Sequence, residues 1–375
     1  MKLLPKNTLR TWIEIDKNAV FHNIKEFRKL IKPDVKLMAV VKSNAYGHSL
    51  VDFAKIVENN ADGFGVDSIV EGLKLRQSGL KKPILVLGYT LSSLIKDAAK
   101  NNISLTVSTL GALKHLAALK NRPKIHLKID TGMHRQGFFL KDIPGVIATL
   151  KKFKIEPEGL YTHLAIAKDR LQNPFSLKQI ETFKKADNLF KHSFPKKNYV
   201  RHVAATAGAI LYPEGHFDMI RVGNGLYGMF PTKELEIEKN VNLKPVLTWK
   251  SVIGEIKKVP SGAYIGYDLT EKTLKPSTLA VIPIGFWHGF DRGLSNCGEV
   301  LVKSKKCKVL GRVSMDMIVV DISSVSNVNI NDEVVILGQS GKEKITPEDM
   351  ALKINTINYE ITTRINPLIK RIYIN

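Results

Sequence analysis

Lys42 stands at the end of an apolar run, in the stretch Met38-Ala-Val-Val-Lys-Ser-Asn-Ala-Tyr-Gly-His48. Burying an ammonium costs several kcal/mol unless it is paired or neutralised. The lysine therefore either meets water where a strand happens to end, or its amine does chemistry. Other polar residues recur where apolar runs stop. "KIHLKIDTGMHRQG" carries Lys128, Asp130 and Arg135, "YTHLA" carries His163, "HVAATAGA" carries Thr206, and "IRVGNGLYG" carries Arg221, Gly223 and Asn224. These types offer an amine able to form an imine, guanidinium groups that donate but never accept, and small turns whose N–H groups suit a phosphate.

The elements that would position them repeat along the first half of the chain. Strand-like runs are expected at Leu37–Val41, Gly63–Val66, Ile84–Leu87, Ser104–Val107, Lys124–Ile129, Gly159–His163, Val200–Ala204 and Phe217–Arg221. Helical stretches lie between them, at Val51–Asn59, Ser92–Asn101, Leu110–Leu119 and Leu177–Phe190. Before the first strand, Val20, Ile24, Phe27 and Ile31 share one helical face. Eight strands separated by helix-length segments read as a closed parallel (β/α)₈ barrel. Such barrels collect their chemistry at the carboxyl ends of the strands, where the polar residues above fall, and they cradle phosphate in the loops after strands seven and eight. A lysine in an apolar setting facing a phosphate cradle suggests a Schiff base to pyridoxal 5′-phosphate, which would give the amine a covalent partner.

Beyond about Pro231 the texture changes. Apolar, β-branched runs at Val246–Ile256, Leu279–Ile284, Val300–Val302, Met317–Ile322 and Val334–Leu337 predict a mostly antiparallel β domain, with only Pro347–Ile357 helical. The expected organisation is a cofactor-binding α/β barrel over 12–233 and a β-rich domain over 234–375 together with 1–11.

Composition narrows the class. At 375 residues, 44% hydrophobic and 25% charged, the chain reads as a soluble protein with room for two cores. No apolar run of membrane-spanning length occurs, and the opening MKLLPKNTLR lacks the apolar centre of a secretory signal. Cys297 and Cys307 make no disulfide framework and have no metal-ligand spacing, so no metal is expected. Together these features predict a cytoplasmic protein. The net charge of +22 raises the question of nucleic acid, but its lysines are scattered singly or in pairs such as Lys81-Lys82 and Lys257-Lys258, with no interleaved aromatics. A solvated basic surface is the expectation, with no specific nucleic acid or membrane partner.

Six stretches, "TWIEIDKNAVFHNI", "MAVVKSNAYGH", "KIDTGMHRQG", "RVGNGLYG", "GRVSMDM" and "INYE", resemble those of the alanine racemases in order and along nearly the whole chain. The resemblance implies a cytoplasmic homodimeric isomerase that uses pyridoxal phosphate to interconvert L- and D-alanine, supplying D-alanine for peptidoglycan. It makes Lys42 the cofactor's lysine and the acid–base group on one face of the substrate α-carbon. Racemisation needs a second proton carrier on the other face. In the family this is a tyrosine from the partner's β domain, here Tyr267 in "YIGYDLT", which the spacing from Gly262 favours over Tyr264. His163 and Arg221 would be linked to it by hydrogen bonds. Arg221 would also meet the cofactor's pyridine nitrogen and, having no acceptor, discourage its protonation. Arg135 would contact the cofactor's phenolic oxygen and the substrate carboxylate. Lys128 stands where many members carry a carbamylated lysine; a strand-face lysine in water is the alternative. Tyr46, Thr206, Gly223, Asn224 and Tyr359 would hold the phosphate. Met315 from the partner subunit would offer its backbone N–H to the substrate carboxylate, braced by Asp316.

Three departures bear on selectivity. The catalytic tyrosine is followed by Asp268 where glycine is common, the family's "GYxDG" reads Gly285-Phe-Trp-His-Gly289, and Ala205 replaces a frequent asparagine. Phe286 and His288 would thus alter the access corridor. Racemisation of serine or another small amino acid is the closest alternative. A non-catalytic cofactor carrier would lack the β domain, and a related decarboxylase would need a carboxylate in place of Arg221.

Overall fold

The computed structural model describes residues 8–168, 173–196, 198–232, 235–236 and 241–375. Its contacts divide the chain into two units. One comprises Val20–Ala45 with Leu50–Lys244, the other Met1–Ala19 with Tyr46–Ser49 and Pro245–Asn375.

The first strand, β1 (Thr11–Asp16), belongs to the second unit. The first unit then supplies β2 (Lys36–Val40), β3 (Gly63–Val66), β4 (Ile84–Val86), β5 (Ser104–Val107), β6 (Ile125–Lys128), β7 (Gly159–Tyr161), β8 (Val200–His202) and β9 (Met219–Val222). All are parallel to their neighbours, and β9 pairs β2, so the last strand returns to the first. β8 and β9 are tied by Asp218 N–H to the Arg201 carbonyl at 3.0 Å and Arg221 N–H to the Ala204 carbonyl at 3.0 Å. The predicted barrel is therefore present, each strand within two residues of its expected bounds. Strands wrapped by helices are covered on both faces, which is why β3, β4 and β9 are buried at every position.

The helix Lys17–Leu30 follows the predicted face, with Val20, Ile24, Phe27 and Ile31 all buried. Each such side chain contributes roughly 1.5–3 kcal/mol of burial. Phe27 reaches far enough that a Cβ on Gly225 would lie 2.3 Å from its ring, so the turn after β9 requires glycine there.

In the second unit β1 pairs antiparallel with β10 (Leu247–Val252) and parallel with Lys370–Ile374, joining both ends of the chain in one sheet. The remaining ladders are antiparallel, as expected: Glu255–Val259 with Ser277–Ile282, Glu299–Val302 with Lys305–Leu310, and Glu333–Ser340 with β10. The predicted run Val246–Ile256 is in fact two strands broken at Ile253-Gly254, and a second helix, Asn358–Thr363, follows Pro347–Lys353. Among the described residues no helix is long and apolar enough to cross a membrane.

Candidate active site

Lys42 follows β2 at the carboxyl end of the barrel's first strand. Its side chain is 38% exposed, not sunk in apolar surroundings as its flanking sequence implied, and its amine stands 3.7 Å from Asp67. The backbone beyond it is unusual. Ser43, Asn44 and Ala45 take φ of 55°, 56° and 52°, and Tyr46 continues at 52°, a left-handed turn made without glycine. Such residues cost about 1–2 kcal/mol each. The strain is held by a carboxylate: Glu71 Oε1 accepts from Ser43 N–H at 2.7 Å and Asn44 N–H at 3.4 Å, while Asn44 Oδ1 accepts from Leu50 N–H at 3.0 Å.

Arg221, on β9, is buried. Its Nη1 donates to His202 Nδ1 at 2.8 Å and the His202 carbonyl at 2.9 Å, and its Nη2 to the carbonyls of Thr162 at 2.8 Å and Val203 at 2.9 Å. Nη2 also lies 3.3 Å from His163 Nδ1. Among the described residues Nε has no acceptor and no carboxylate pairs with the guanidinium, which excludes a surface ion pair. Burial pushes its pKa down to about 10. Because a guanidinium only donates, His163 Nδ1 is an acceptor and the imidazole's proton sits on Nε2. Burial and the positive charges of Arg221, Arg135, Lys128 and Lys42 hold His163 well below the usual histidine range, so it is neutral.

Lys128 is buried, at 6% exposure, so it is not a lysine in water. Its amine meets Gln136 Oε1 at 3.2 Å and lies 5.4 Å from the Tyr161 ring centre. Burial, then the cations Arg135 and Arg221, pull its pKa down to about 8, with Asp130 opposing. Arg135 is exposed in the loop after β6. That loop is built by Asp130, whose Oδ1 accepts from Gly132, Met133 and His134 at 3.0–3.1 Å. Gly137 closes it at φ 136°, where a Cβ would fall 2.5 Å from Asp130 N.

After β8, Thr206 Oγ1 accepts from Gly223 N–H at 3.1 Å and Gly225 N–H at 3.4 Å, which ties the loops after strands seven and eight together and leaves its hydroxyl proton to donate. Asn224 opens the short turn Asn224–Tyr227.

The second unit carries the remaining expected residues. Tyr267 is 68% exposed, set between Gly266 at φ 73° and Asp268 at φ 61°. Tyr264 is also exposed but lies under Lys272, whose amine is 5.1 Å from its ring centre. Met315 is exposed and its carbonyl accepts from Trp287 N–H, whereas its own N–H has no acceptor among the described residues. Gly285 allows that turn: a Cβ would lie 2.2 Å from the Ser314 carbonyl. His288 is buried, its Nδ1 accepting from Gly285 N–H at 3.1 Å with Asp316 at 4.0 Å. It caps a turn and does not line an open wall, unlike Phe286 at 43% and Trp287 at 57% exposure. Tyr46 and Tyr359 meet edge to face with ring centres 6.3 Å apart. Burial raises the Tyr46 pKa and keeps its phenol protonated, a donor. Among the described residues no acidic, histidine and cysteine cluster suits a metal.

Asp67, Glu71, His126, Glu158 and His202 also contact these residues or one another, without being singled out by any motif named above. Ser68-Ile-Val-Glu71 spells a capping box, and Ser68 does cap its helix, but Glu71 reaches past it to Asp67 N–H at 2.9 Å and Ser43. That spelling was the available signal. Nothing local marks the other residues, which meet only through the barrel.

Both halves match known families over nearly their full length: the alanine racemase N-terminal domain over residues 15–231 and the C-terminal domain over 246–373. An alanine racemase of Leptospira interrogans is 37% identical over 379 residues, covering 99% of this chain and 97% of the relative. Among solved structures, an alanine racemase of Clostridium difficile superposes with a TM-score of 0.92 at 33% identity, covering 98% of this chain and 96% of the other. One from Bacillus anthracis, solved with bound L-Ala-P, has the same TM-score and identity, covering 98% and 95%. The chain belongs to the alanine racemase family.

Proposed function

We propose that the protein is a pyridoxal 5′-phosphate-dependent alanine racemase, working in the cytoplasm as a homodimer and supplying D-alanine for peptidoglycan. The observation that carries this reading is the environment of Arg221. Four of its hydrogen bonds are spent on fixed acceptors, no carboxylate neutralises it, and Nε is a donor left over at the end of the barrel where Lys42 also lies. A ring nitrogen with a lone pair and no proton fits that donor; a protonated one does not. When bound, the cofactor withdraws electrons from the substrate's α-carbon and so acidifies its C–H bond.

The chain's own residues do the rest. Lys42 would hold the cofactor, and its Nζ would move a proton on one face of the substrate's α-carbon. Tyr267 of a second copy moves the other at its hydroxyl. A free phenol, with a pKa near 10, needs help to act as a base; His163, neutral with its proton on Nε2, is a donor able to stabilise the phenolate. Arg221 would offer a hydrogen-bond donor to the ring nitrogen and discourage its protonation, which would favour reprotonation over transamination. Arg135 and the Met315 N–H of a second copy, braced by that copy's Asp316, would receive the substrate carboxylate, and Tyr46, Thr206, Gly223, Asn224 and Tyr359 are the residues proposed for the phosphate. Lys128, with a pKa of about 8, has enough free amine near neutrality to attack carbon dioxide and lose a proton; the resulting carbamate would attract Arg135 where an ammonium repels it. The exposed Tyr267, Leu269, Phe286, Trp287, Met315 and Met317 support burial against a second copy.

Serine is the second reading, favoured by Phe286, which offers an exposed ring without a hydroxyl. Purified protein given L-alanine, L-serine and other small amino acids, followed by chiral chromatography, should carry alanine to equal enantiomers fastest. No racemisation with saturating cofactor would refute the reading.

A further inference from the structure

Arg221 begins a chain of hydrogen bonds that runs through the barrel interior. Its Nη1 donates to His202 Nδ1 at 2.8 Å. His202 Nε2 lies 2.9 Å from His126 Nδ1, and His126 Nε2 lies 3.4 Å from Glu158 Oε2. Every proton on this path is fixed by elimination. The guanidinium can only donate, so His202 Nδ1 is bare and Nε2 carries its hydrogen. That hydrogen needs an acceptor, so His126 Nδ1 is bare as well and its Nε2 carries the proton on the side of Glu158, whose Oε2 stands at ion-pair distance. The chain is directed from cation to anion, with both imidazoles in the same tautomer.

Its surroundings fix that arrangement. Tyr161 stacks on His202, with ring centres 4.7 Å apart and planes 4° apart, and its O–H meets Thr106 Oγ1 at 2.8 Å. Gly159 makes room for the other imidazole, since a Cβ there would fall 2.1 Å from His126 Nδ1. Glu158 is held ionised, its pKa lowered to about 2 by its hydrogen bonds to His126, Lys124 and Ser104 against the cost of burial.

We propose that Glu158 is the remote counter-charge of Arg221, and that Glu158, His126 and His202 are positioning residues that hold the guanidinium charged and aimed by contacts passed from the residue before β7 through β6 and β8 to β9. The inference rests on the role given to Arg221 above. A carboxylate in direct contact would neutralise the guanidinium and compete for its donors. Placed two imidazoles away, it stabilises the charge and leaves Nε open. Losing it weakens the barrier to protonating the ring nitrogen, and side reactions should rise before stability falls.

Two readouts test this on the full-length protein. In histidine-selective ¹⁵N spectra, His126 and His202 should both carry the proton on Nε2 with Nδ1 bare between pH 6 and 8, and Glu158→Gln should move the His126 Nε2–H signal upfield. In the cofactor-loaded enzyme, Glu158→Gln should lower the number of racemisations per abortive transamination at least tenfold. A His126→Gln variant, which can still accept and donate in the same sense, should stay within threefold of the parent, whereas His126→Leu should match Glu158→Gln. The His126 pair decides the matter if Glu158→Gln does not fold. Either histidine found protonated on Nδ1, or a partition ratio unchanged in both disrupted variants, overturns the proposal. A protein that racemises no amino acid overturns the proposed function instead, while the tautomers still report on the chain.

Discussion

Replacing Glu71 should loosen the turn that follows Lys42 without touching the lysine. Ser43, Asn44 and Ala45 sit in left-handed backbone at about 1–2 kcal/mol each, together roughly 3–6 kcal/mol of strain. Glu71 holds the turn through Ser43 N–H at 2.7 Å and anchors its own loop through Asp67 N–H at 2.9 Å. A hydrogen bond to a charged group is worth about 1.5–3 kcal/mol. Glu71 is half-buried and water competes for both donors, so about 1 kcal/mol each is a fair figure, roughly 2 kcal/mol in all. Glu71→Ala should therefore let Ser43–Ala45 relax and weaken cofactor binding about 30-fold, at about 1.4 kcal/mol per tenfold. Glu71→Gln keeps an acceptor oxygen and should lose about fivefold. Cofactor titration followed by absorbance measures both, alongside a thermal melt. Binding within twofold of the parent in Glu71→Ala would refute the reasoning.

Lys128 links the site to pH. Its folded pKa of about 8 lies below the unfolded value near 10.4, so the unfolded chain binds more protons between them, and stability in carbon dioxide-free buffer should rise with pH from about 8 to about 10.4 by on the order of 3 kcal/mol. Lys128→Met should flatten that rise in urea titrations; an unchanged slope contradicts the assignment. Arg371 spans Gly47 and Asn366 within the second unit, its Nε and Nη2 donating to the Gly47 carbonyl at 3.0 and 2.9 Å and its Nη1 to Asn366 at 2.7 Å. Arg371→Met strands these buried carbonyls and should cost roughly 3 kcal/mol by denaturant unfolding; a loss under 1 kcal/mol would show that water replaces the guanidinium.

The barrel was legible because its strands are buried on both faces and so spell apolar runs such as Gly63–Val66 and Ile84–Val86, with helical spacing between. β1 was less so: Thr11–Asp16 has the texture of a strand, but its partners lie more than two hundred residues away at Leu247–Val252 and Lys370–Ile374, and pairing at that distance leaves no local mark. The site divides in the same way. Lys42, Arg221 and Tyr267 announce themselves by type and by the motifs around them. Burial does not: the apolar run before Lys42 implies more enclosure than its 38% exposure, and residue type alone does not separate a lysine in water from the buried Lys128. His288 illustrates a further limit. Its side chain is spent on the Gly285 N–H, a use set by backbone geometry that residue type does not reveal. The chain from Arg221 to Glu158 draws on three strands and the residue before a fourth, and only their assembly brings its members together.

Two different groups, Lys42 and Tyr267 of a second copy, should exchange protons on opposite faces of one α-carbon. Tyr267→Phe, loaded with cofactor in heavy water and given each enantiomer of alanine, tests it directly. The Lys42 face should still take up deuterium from one enantiomer, while exchange into the other and net racemisation fall by at least a hundredfold. Equal deuterium uptake by both enantiomers, or racemisation at the parent rate, would contradict it.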